Sequence, residues 1–367
     1  MFLKRKKILL PALLFFSTIF FSAFFIFQNS SIDKNDLITS LGKISKPTPT
    51  ETPLTAPPAN KTLANTYHIF QRFNNCGPAS LSMALSYYGM NETQEEIGDA
   101  LRPYQVASGD NDDKSVTLKE LAEKSKEYDL IPYHRPMGNI EMIKYFITYD
   151  IPIIARTWTK SNEDIGHYRV VKGYDDSLEI LIQDDSLQGK NLEYSYEDFN
   201  ILWKKFNYEF LVLVPKDKIE IAEKILGENA DEMIAWKSAV NFSENKLKQD
   251  PDDIYSGFNL SVALKNIGQY KKSVEEFEKV ESLLPFRTLW YQIDPIEAYF
   301  EIGNYERVFE ITDKILNNQN RAFSELYMLR GKSYQKLGNL ESARSEYEKA
   351  VLYNQSLKEA QETLNSI

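Results

Sequence analysis

The chain has 367 residues and a formal net charge of −10, with 43 lysines and arginines against 53 aspartates and glutamates. This length is sufficient for two folded domains, and the acidic balance argues against nucleic-acid binding. One cysteine and three histidines are present. They allow no disulfide within the chain and show no metal-ligand spacing, so we expect neither a disulfide framework, nor a metal site, nor a cofactor.

The amino terminus predicts a membrane-spanning helix over residues 1–27. Four basic side chains precede Ile8 to Phe27, a run of twenty residues without a charge. That run is about long enough to cross the ~30 Å hydrocarbon core of a bilayer. Basic residues before a span keep that end cytoplasmic, so we expect the rest of the chain outside the cytoplasm. A cleaved signal peptide, which would give a secreted protein, is the alternative.

Residues 28–64 are predicted to be a linker. Proline and threonine recur here without apolar periodicity, most clearly from Lys46 to Pro53. Such a composition cannot bury enough surface to fold, and it gives an extended, semi-stiff chain. We therefore expect the first folded domain to begin at residue 65.

The single cysteine is the candidate nucleophile. Cys76 opens an apolar run at helical spacing that ends at Gly89, and Pro78 suits the first turn of a helix. A thiol at the amino terminus of a helix is close to the positive end of the helix dipole, which favours the thiolate. A buried structural cysteine is the alternative.

A histidine at the start of a predicted strand is the candidate base. His167 lies in the segment Gly166 to Asp175, about ninety residues after the cysteine. An enzyme that activates a thiol through an imidazole needs both groups. His68 and His134 are the competing bases, because each lies near a predicted strand.

The pattern between and after these two segments is α/β-like. Thr93, Thr117 and Asn139 each begin a short predicted helix. The acidic stretch at 108–113 has aspartate spacing that hints at calcium, but no glutamate follows it as in an EF-hand, so we expect a solvated loop. The predicted strands are 151–156, 168–174, 178–183 and 209–214.

The segments around the cysteine and the histidine resemble the papain-like cysteine peptidases that process double-glycine leader peptides of bacteriocins, and their stand-alone relatives. The resemblance runs from about Tyr67 to Pro215. It rests on Asn75-Cys76-Gly77-Pro78-Ala79, on Gly166-His167-Tyr168 with the following Val-Val-x-Gly-Tyr-Asp, and on an aspartate that closes the next strand. It implies an α+β papain-like peptidase domain over residues 65–215.

The resemblance also implies roles for individual residues. Cys76 would be the nucleophile and His167 the general base, Asp184 would orient the imidazole, and Gln71 would be the side-chain donor of the oxyanion hole. Asp184 is followed by Asp185, so the choice between these two carboxylates stays open. The leader-peptide enzymes are fused to ABC transporters, and this sequence has no nucleotide-binding region. The specific substrate is therefore not carried over.

From residue 216 onward the pattern is helical. Gly268, Gly303 and Gly338 recur at intervals of 35 residues, each between two apolar helical runs. This spacing resembles tetratricopeptide repeats, whose period is about 34 residues. A heptad coiled coil is the alternative. We expect linking helices over 216–250 and all-α repeats over 251–367, whose concave face would bind a peptide or a protein partner.

Together these patterns predict a membrane-anchored cysteine peptidase outside the cytoplasm. The catalytic domain would hydrolyse a peptide or protein substrate, the repeats would recruit a partner, and the amino-terminal helix would hold the chain at the membrane. Two alternatives remain. The papain-like domain could be a non-catalytic, peptide-binding adaptor, or the same residues could transfer an acyl group from the thiol to an amine.

Overall fold

The computed structural model describes residues 53–65, 67–103, 114–318 and 320–367. The predicted membrane span, most of the predicted linker and the acidic loop at 108–113 lie outside these residues. In the described part of the chain, no helix combines the length and the apolar character that crossing a bilayer requires. Residues 54–367 pack as one unit, in which a sheet with helices on both faces (the sheet half) precedes an all-helical region (the helical half).

Seven strands in the described residues form one sheet, and all of their pairings are antiparallel. The strands are β1 (Asn60–Thr62), β2 (Ile131–Arg135), β3 (Ile153–Trp158), β4 (Gly166–Asp175), β5 (Ile180–Asp185), β6 (Gly189–Ser195) and β7 (Phe210–Val214). Their order is β2-β7-β3-β4-β5-β6, and β1 pairs with the end of β4. The central position of β4 brings it next to both β3 and β5.

Helices cover both faces of this sheet. They are α1 (Cys76–Ser86), α2 (Gln94–Leu101), α3 (Leu118–Ser125), α4 (Ile140–Thr148), α5 (Tyr196–Trp203) and α6 (Ile219–Leu226). The first three pack with Ile154 and Val170, and the last three with Ile153 and Val171. Neighbouring residues of β3 and β4 therefore serve opposite faces, because side chains alternate along a strand. The predicted mixed α/β character of this half is confirmed.

The sheet begins earlier in the chain than the sequence predicted. β1 lies inside the segment 28–64, and its residues pair with Gly173, Tyr174 and Asp175. Leu63, just after β1, is buried in the core between the sheet and α4. A strand of three residues gains its order from the partner strand and needs no apolar periodicity of its own, so composition alone did not reveal it. The folded domain starts at or before residue 60, not at residue 65.

The helical half consists mainly of helix pairs. Its helices are α7 (Glu232–Gln249), α8 (Ile254–Asn266), α9 (Tyr270–Val280), α10 (Thr288–Tyr291), α11 (Asp294–Glu301), α12 (Tyr305–Leu316), α13 (Ser324–Lys336), α14 (Leu340–Tyr353) and α15 (Lys358–Ser366). The turns of three pairs, α8–α9, α11–α12 and α13–α14, contain Gly268, Gly303 and Gly338. These glycines have φ values of +76°, +78° and +76°, a conformation that glycine adopts without steric cost.

The two halves share a buried interface. Asn259 of α8 accepts a hydrogen bond from the Asn207 backbone N–H (3.3 Å), and Asn207 Nδ2 donates to the Asn259 carbonyl oxygen (3.1 Å). Tyr255 of α8 packs edge-on against Trp158 of β3, with 5.4 Å between ring centroids. These contacts hold the helical half against the sheet.

Candidate active site

The lone cysteine begins the first helix of the sheet half. Cys76 is the first residue of α1, and Asn75 before it accepts the first helical hydrogen bond, from the Ala79 N–H at 2.9 Å. The first N–H groups of a helix have no acceptor within the helix, and they carry its positive partial charge. Cys76 is 7% exposed, so its thiol lies in this field largely shielded from water.

Two side chains that the sequence analysis did not single out hold the loop before the cysteine. Gln94 of α2 accepts a hydrogen bond from the Arg72 N–H (2.7 Å) and donates to the Phe70 carbonyl oxygen (2.8 Å). Arg102, directly after α2, donates to the Asn75 side-chain oxygen at 3.3 Å. The start of α1 is thus positioned by α2, a tertiary contact for which the sequence shows no spacing signal.

His167, the second residue of β4, bridges the thiol and a carboxylate. Its Nε2 lies 2.8 Å from Asp185 Oδ1, and the Cys76 thiol is close enough to raise the pKa of the same ring. Because Nε2 is engaged by the aspartate, Nδ1 is the ring nitrogen that remains for the thiol. The structure therefore brings Cys76, His167 and Asp185 together in one series, in which the imidazole is hydrogen-bonded to the carboxylate and lies next to the thiol.

The acid in this series is Asp185, which corrects the prediction of Asp184. Asp184 forms an ion pair with Lys172 Nζ at 2.7 Å. Asp185 lies opposite Arg169 of β4, on the face that carries His167. Since successive side chains of a strand point to opposite faces, only one of the two aspartates can reach the imidazole.

The surroundings of Asp185 favour its charged form. Its Oδ1 accepts hydrogen bonds from the N–H groups of Leu187 (2.7 Å) and Gln188 (2.8 Å), and Arg169 Nη1 lies 3.5 Å from Oδ2. Burial by itself would raise the pKa of Asp185, but the hydrogen bond and charge of His167, the charge of Arg169 and the Gln188 N–H lower it below 3.8. Arg169 lies two residues after His167, so strand alternation was a usable signal for its role.

The imidazole is shifted toward its protonated form. Burial by itself would lower the pKa of His167, but its hydrogen bonds and charge interactions with Asp185 and Cys76 outweigh burial and raise the pKa above 6.5. A protonated imidazole beside the sulfur is the state that a thiolate–imidazolium pair requires. The raised pKa of His167 supplies the imidazolium half of such a pair.

Gln71 lies at the edge of this cluster. Its backbone N–H donates to the Ser186 carbonyl oxygen (2.8 Å), and its Oε1 accepts from the Ser186 hydroxyl (2.9 Å). Ser186 follows Asp185 directly, so both bonds place Gln71 beside the end of β5. With Oε1 engaged, the Nε2 amide is the donor end of the side chain, and the predicted role in an oxyanion hole stays a prediction.

The other two histidines have different partners. His68 Nε2 donates to the Asp185 carbonyl oxygen at 2.9 Å, and His134 Nε2 lies 3.2 Å from Glu209 Oε2. His167 is therefore the histidine that the structure brings to the thiol. Within the described ranges, no group of three or more His, Cys, Asp and Glu side chains could hold a metal ion.

Several solved structures resemble part of this chain at low sequence identity. A C39-like peptidase from Bacillus anthracis is 18% identical with a TM-score of 0.35, and the match covers 43% of this chain and 98% of that one. The peptidase domain of Streptococcus ComA, a bifunctional ABC transporter involved in a quorum-sensing pathway, is 21% identical (TM-score 0.32; 40% and 97% covered). A double-glycine motif protease from an AMS/PCAT transporter, solved in complex with the leader peptide, is 21% identical (TM-score 0.32; 42% and 96% covered).

Family models match two separate regions of the chain. Residues 55–210 match the Peptidase_C39 like family, and residues 258–285 and 324–357 match the Tetratricopeptide repeat. No curated protein matches the chain. The first match begins within the predicted linker, in agreement with the position of β1. The chain thus joins a region that matches the Peptidase_C39 like family, at residues 55–210, to a region that matches tetratricopeptide repeats.

Proposed function

We propose that the sheet half is a cysteine peptidase that uses Cys76, His167 and Asp185. The observation that carries this proposal is the position of His167, which is hydrogen-bonded to the Asp185 carboxylate and lies next to the Cys76 thiol. The Cys76 thiolate would attack a peptide carbonyl carbon, and the His167 imidazolium would protonate the leaving amine. Water would then hydrolyse the acyl-enzyme, with the imidazole accepting its proton and Asp185 keeping Nε2–H oriented.

Two donors are available for the oxyanion of the tetrahedral intermediate. The Cys76 backbone N–H lies at the start of α1, where no helical acceptor exists. The Gln71 side-chain amide is the second, since Ser186 holds its oxygen end. Removal of one oxyanion donor typically lowers kcat by about 10²–10³-fold, so Gln71→Ala should have an effect of this size.

The substrate in this proposal is a peptide or an unfolded protein segment, and the repeats of the helical half bind a protein partner. The sequence of residues 1–27 supports a membrane anchor with both halves outside the cytoplasm, and signal cleavage with secretion is the alternative. Cell fractionation with an antibody against the helical half distinguishes the two: an anchored chain sediments with membranes, and a cleaved one appears in the medium.

The peptidase proposal is tested with the full chain, a library of fluorogenic peptides and a thiol-alkylating probe. Cys76→Ala should abolish both hydrolysis and labelling. His167→Ala should slow both by at least about 10²-fold, because the thiolate loses its partner. His134→Gln is the matched control, since His134 pairs with Glu209 instead, and it should retain both signals.

Two results would contradict the proposal. If the wild-type chain hydrolyses no peptide, and if its labelling rate is the same as that of His167→Ala under reducing conditions, the thiol is not activated. The sheet half would then be a non-catalytic scaffold. Aminolysis that outpaces hydrolysis when a primary amine is added would instead indicate acyl transfer.

A further inference from the structure

A segment of the helical half lies directly on the candidate active site. Tyr291 ends the short helix α10, and its ring covers the backbone of Gly166, the residue before His167. A Cβ placed on Gly166 would approach the Tyr291 ring to 2.7 Å. Burial raises the pKa of the Tyr291 hydroxyl to about 12, and the nearby Cys76 adds to this shift. Tyr291 therefore borders the same space as the catalytic pair.

Several bonds anchor this segment to the sheet half. Arg287 forms an ion pair with Asp164 at 2.5 Å, and its backbone N–H donates to the same carboxylate at 3.0 Å. The Arg156 guanidinium donates to the Tyr291 carbonyl oxygen, and Gln292 donates to the Lys205 carbonyl oxygen at 3.3 Å. Mobile lids have few contacts of this kind, so this segment has the features of a fixed wall.

A cavity of about 720 Å³, lined by residues of both halves, borders this wall. Tyr291 and Arg156 line it, together with Glu120 of the sheet half and Lys332 of the helical half. Cys76 and His167 do not line it. Its volume is within the range of ligand pockets, roughly 300–1,000 Å³. Tyr291 thus both lines this cavity and contacts the residue before His167.

We infer that Tyr291 is a substrate-positioning residue, so that the helical half forms one wall of the peptide-binding cleft. This inference rests on the proposed peptidase activity and goes beyond the recruitment of a partner by the repeats. A fixed ring beside the reacting groups holds an extended peptide in register. The same ring occupies the volume that a bulky side chain would need, so the cleft selects substrates with a small residue at that position.

The test compares two reactions of the Cys76 thiol in the full chain. Iodoacetamide reports the intrinsic reactivity of the sulfur, and a set of tripeptidyl chloromethyl ketones of increasing side-chain size reports peptide recognition. Tyr291→Ala should react with iodoacetamide at a rate within about twofold of the wild-type rate. It should raise the rate ratio of bulky to small peptidyl probes about tenfold, since a single methylene in a hydrophobic pocket typically discriminates by roughly 10–200-fold. Tyr291→Phe should keep the wild-type selectivity.

Two further variants control for folding and for position. Tyr334→Ala removes an aromatic ring of the helical half that stacks on Phe309, with 4.4 Å between centroids, and it should change neither reaction. Gly166→Ala must displace the Tyr291 ring, so it should shift selectivity toward that of Tyr291→Ala. In a Tyr291→Ala background the same substitution should have little further effect, because the clash is absent.

Each outcome bears on a different claim. If Tyr291→Ala keeps the wild-type selectivity while His167→Ala still slows iodoacetamide, the inference is wrong and the peptidase proposal stands. If Tyr291→Ala speeds iodoacetamide tenfold or more, the ring is a lid that shields the thiol and not a wall. If His167→Ala has no effect on iodoacetamide, the peptidase proposal fails, and the inference fails with it.

Discussion

Two adjacent aspartates in β5 have separate structural roles. Asp184 neutralises the Lys172 ammonium, whose side chain is 3% exposed, whereas Asp185 hydrogen-bonds to His167. Both carboxylates are buried, so each depends on its partner to offset the loss of hydration. This arrangement offers a matched pair of substitutions that differ by one position in the chain.

Asp185→Asn should slow peptide hydrolysis by roughly 10²–10⁴-fold, because an amide in place of the carboxylate no longer stabilises the imidazolium or fixes its tautomer. Asp184→Asn should keep hydrolysis within about threefold, although it lowers the free energy of unfolding by about 3 kcal/mol through the weakened ion pair with Lys172. Steady-state kinetics and urea unfolding of both variants check this. An equal loss of activity in both would show that Asp185 has no special role.

The two pKa shifts also predict a pH dependence of stability. The pKa of His167 is raised above 6.5, so its contribution to stability is complete below pH 6.5 and is lost as the pH rises through the higher folded-state value. The pKa of Asp185 is lowered below 3.8, so its contribution is complete above pH 3.8 and is lost on acidification. The decrease in the free energy of unfolding caused by Asp185→Asn should therefore be larger at about pH 5 than at about pH 9. Urea unfolding at both values measures it, and equal losses would contradict the pairing.

The sequence predicted the thiol and the imidazole of this site but did not decide the acid. The nucleophile and the base lie in motifs with distinctive neighbours, whereas the choice between Asp184 and Asp185 depends on the register of β5. That register includes irregularities between Val171 and Gly173 and between Gln183 and Asp185. A shift of one residue exchanges the faces of a strand, and no local pattern reports such a shift.

At the scale of elements, the helix pairs of the C-terminal region depend on two uses of glycine. In the turns, Gly268, Gly303 and Gly338 take positive φ values. Within α13, Gly331 allows close approach to α14, because a Cβ there would come within 2.6 Å of the Tyr347 ring. The 35-residue period was visible in the sequence because the same turn recurs in each pair.

Gly338→Ala should lower the free energy of unfolding by about 1–2 kcal/mol, since an L-residue with a side chain is disfavoured in the left-handed region. Open space surrounds the added methyl group, so the effect isolates backbone strain. Lys336 is exposed and lies two residues earlier. The free energy of unfolding of Lys336→Ala should stay within about 0.5 kcal/mol of the wild-type value. Urea unfolding of both variants measures the difference, and equal stabilities would show that the turn accommodates alanine.

Elements with a weak local pattern were the ones that sequence analysis missed. β6 has exposed or half-buried side chains throughout, so it lacks an apolar face, and α10 has four residues. β6 is ordered by β5, the strand directly before it, whereas α10 is ordered by residues far away in the chain, among them Arg156 and Gly166. The position of Tyr291 beside Gly166 belongs to this class, because 125 residues separate the two positions.

At the scale of the molecule, a hydrogen-bonded amide pair joins the two halves. Asn259 is 5% exposed, and its Nδ2 donates to the Lys204 carbonyl oxygen at 2.6 Å. Its Oδ1 accepts from the Asn207 N–H. Buried backbone groups that lose their partner cost about 1–3 kcal/mol each. The interface therefore couples the stability of the helical half to that of the chain segment just before β7.

Asn259→Ala should destabilise this interface by about 2 kcal/mol, because it removes the two hydrogen bonds that the Asn259 side chain makes with the Lys204 carbonyl oxygen and the Asn207 N–H. Amide hydrogen exchange should become faster in α8 and also in residues 204–207. Asn266→Ala is the matched control on the same helix, since the Asn266 amide bonds within the helical half, to Val262 and Asp294 at 2.9 Å each. Its faster exchange should be confined to that half. If residues 204–207 stay protected from hydrogen exchange in Asn259→Ala, the two halves unfold independently. A cleft wall supplied by the helical half would then lack its structural basis.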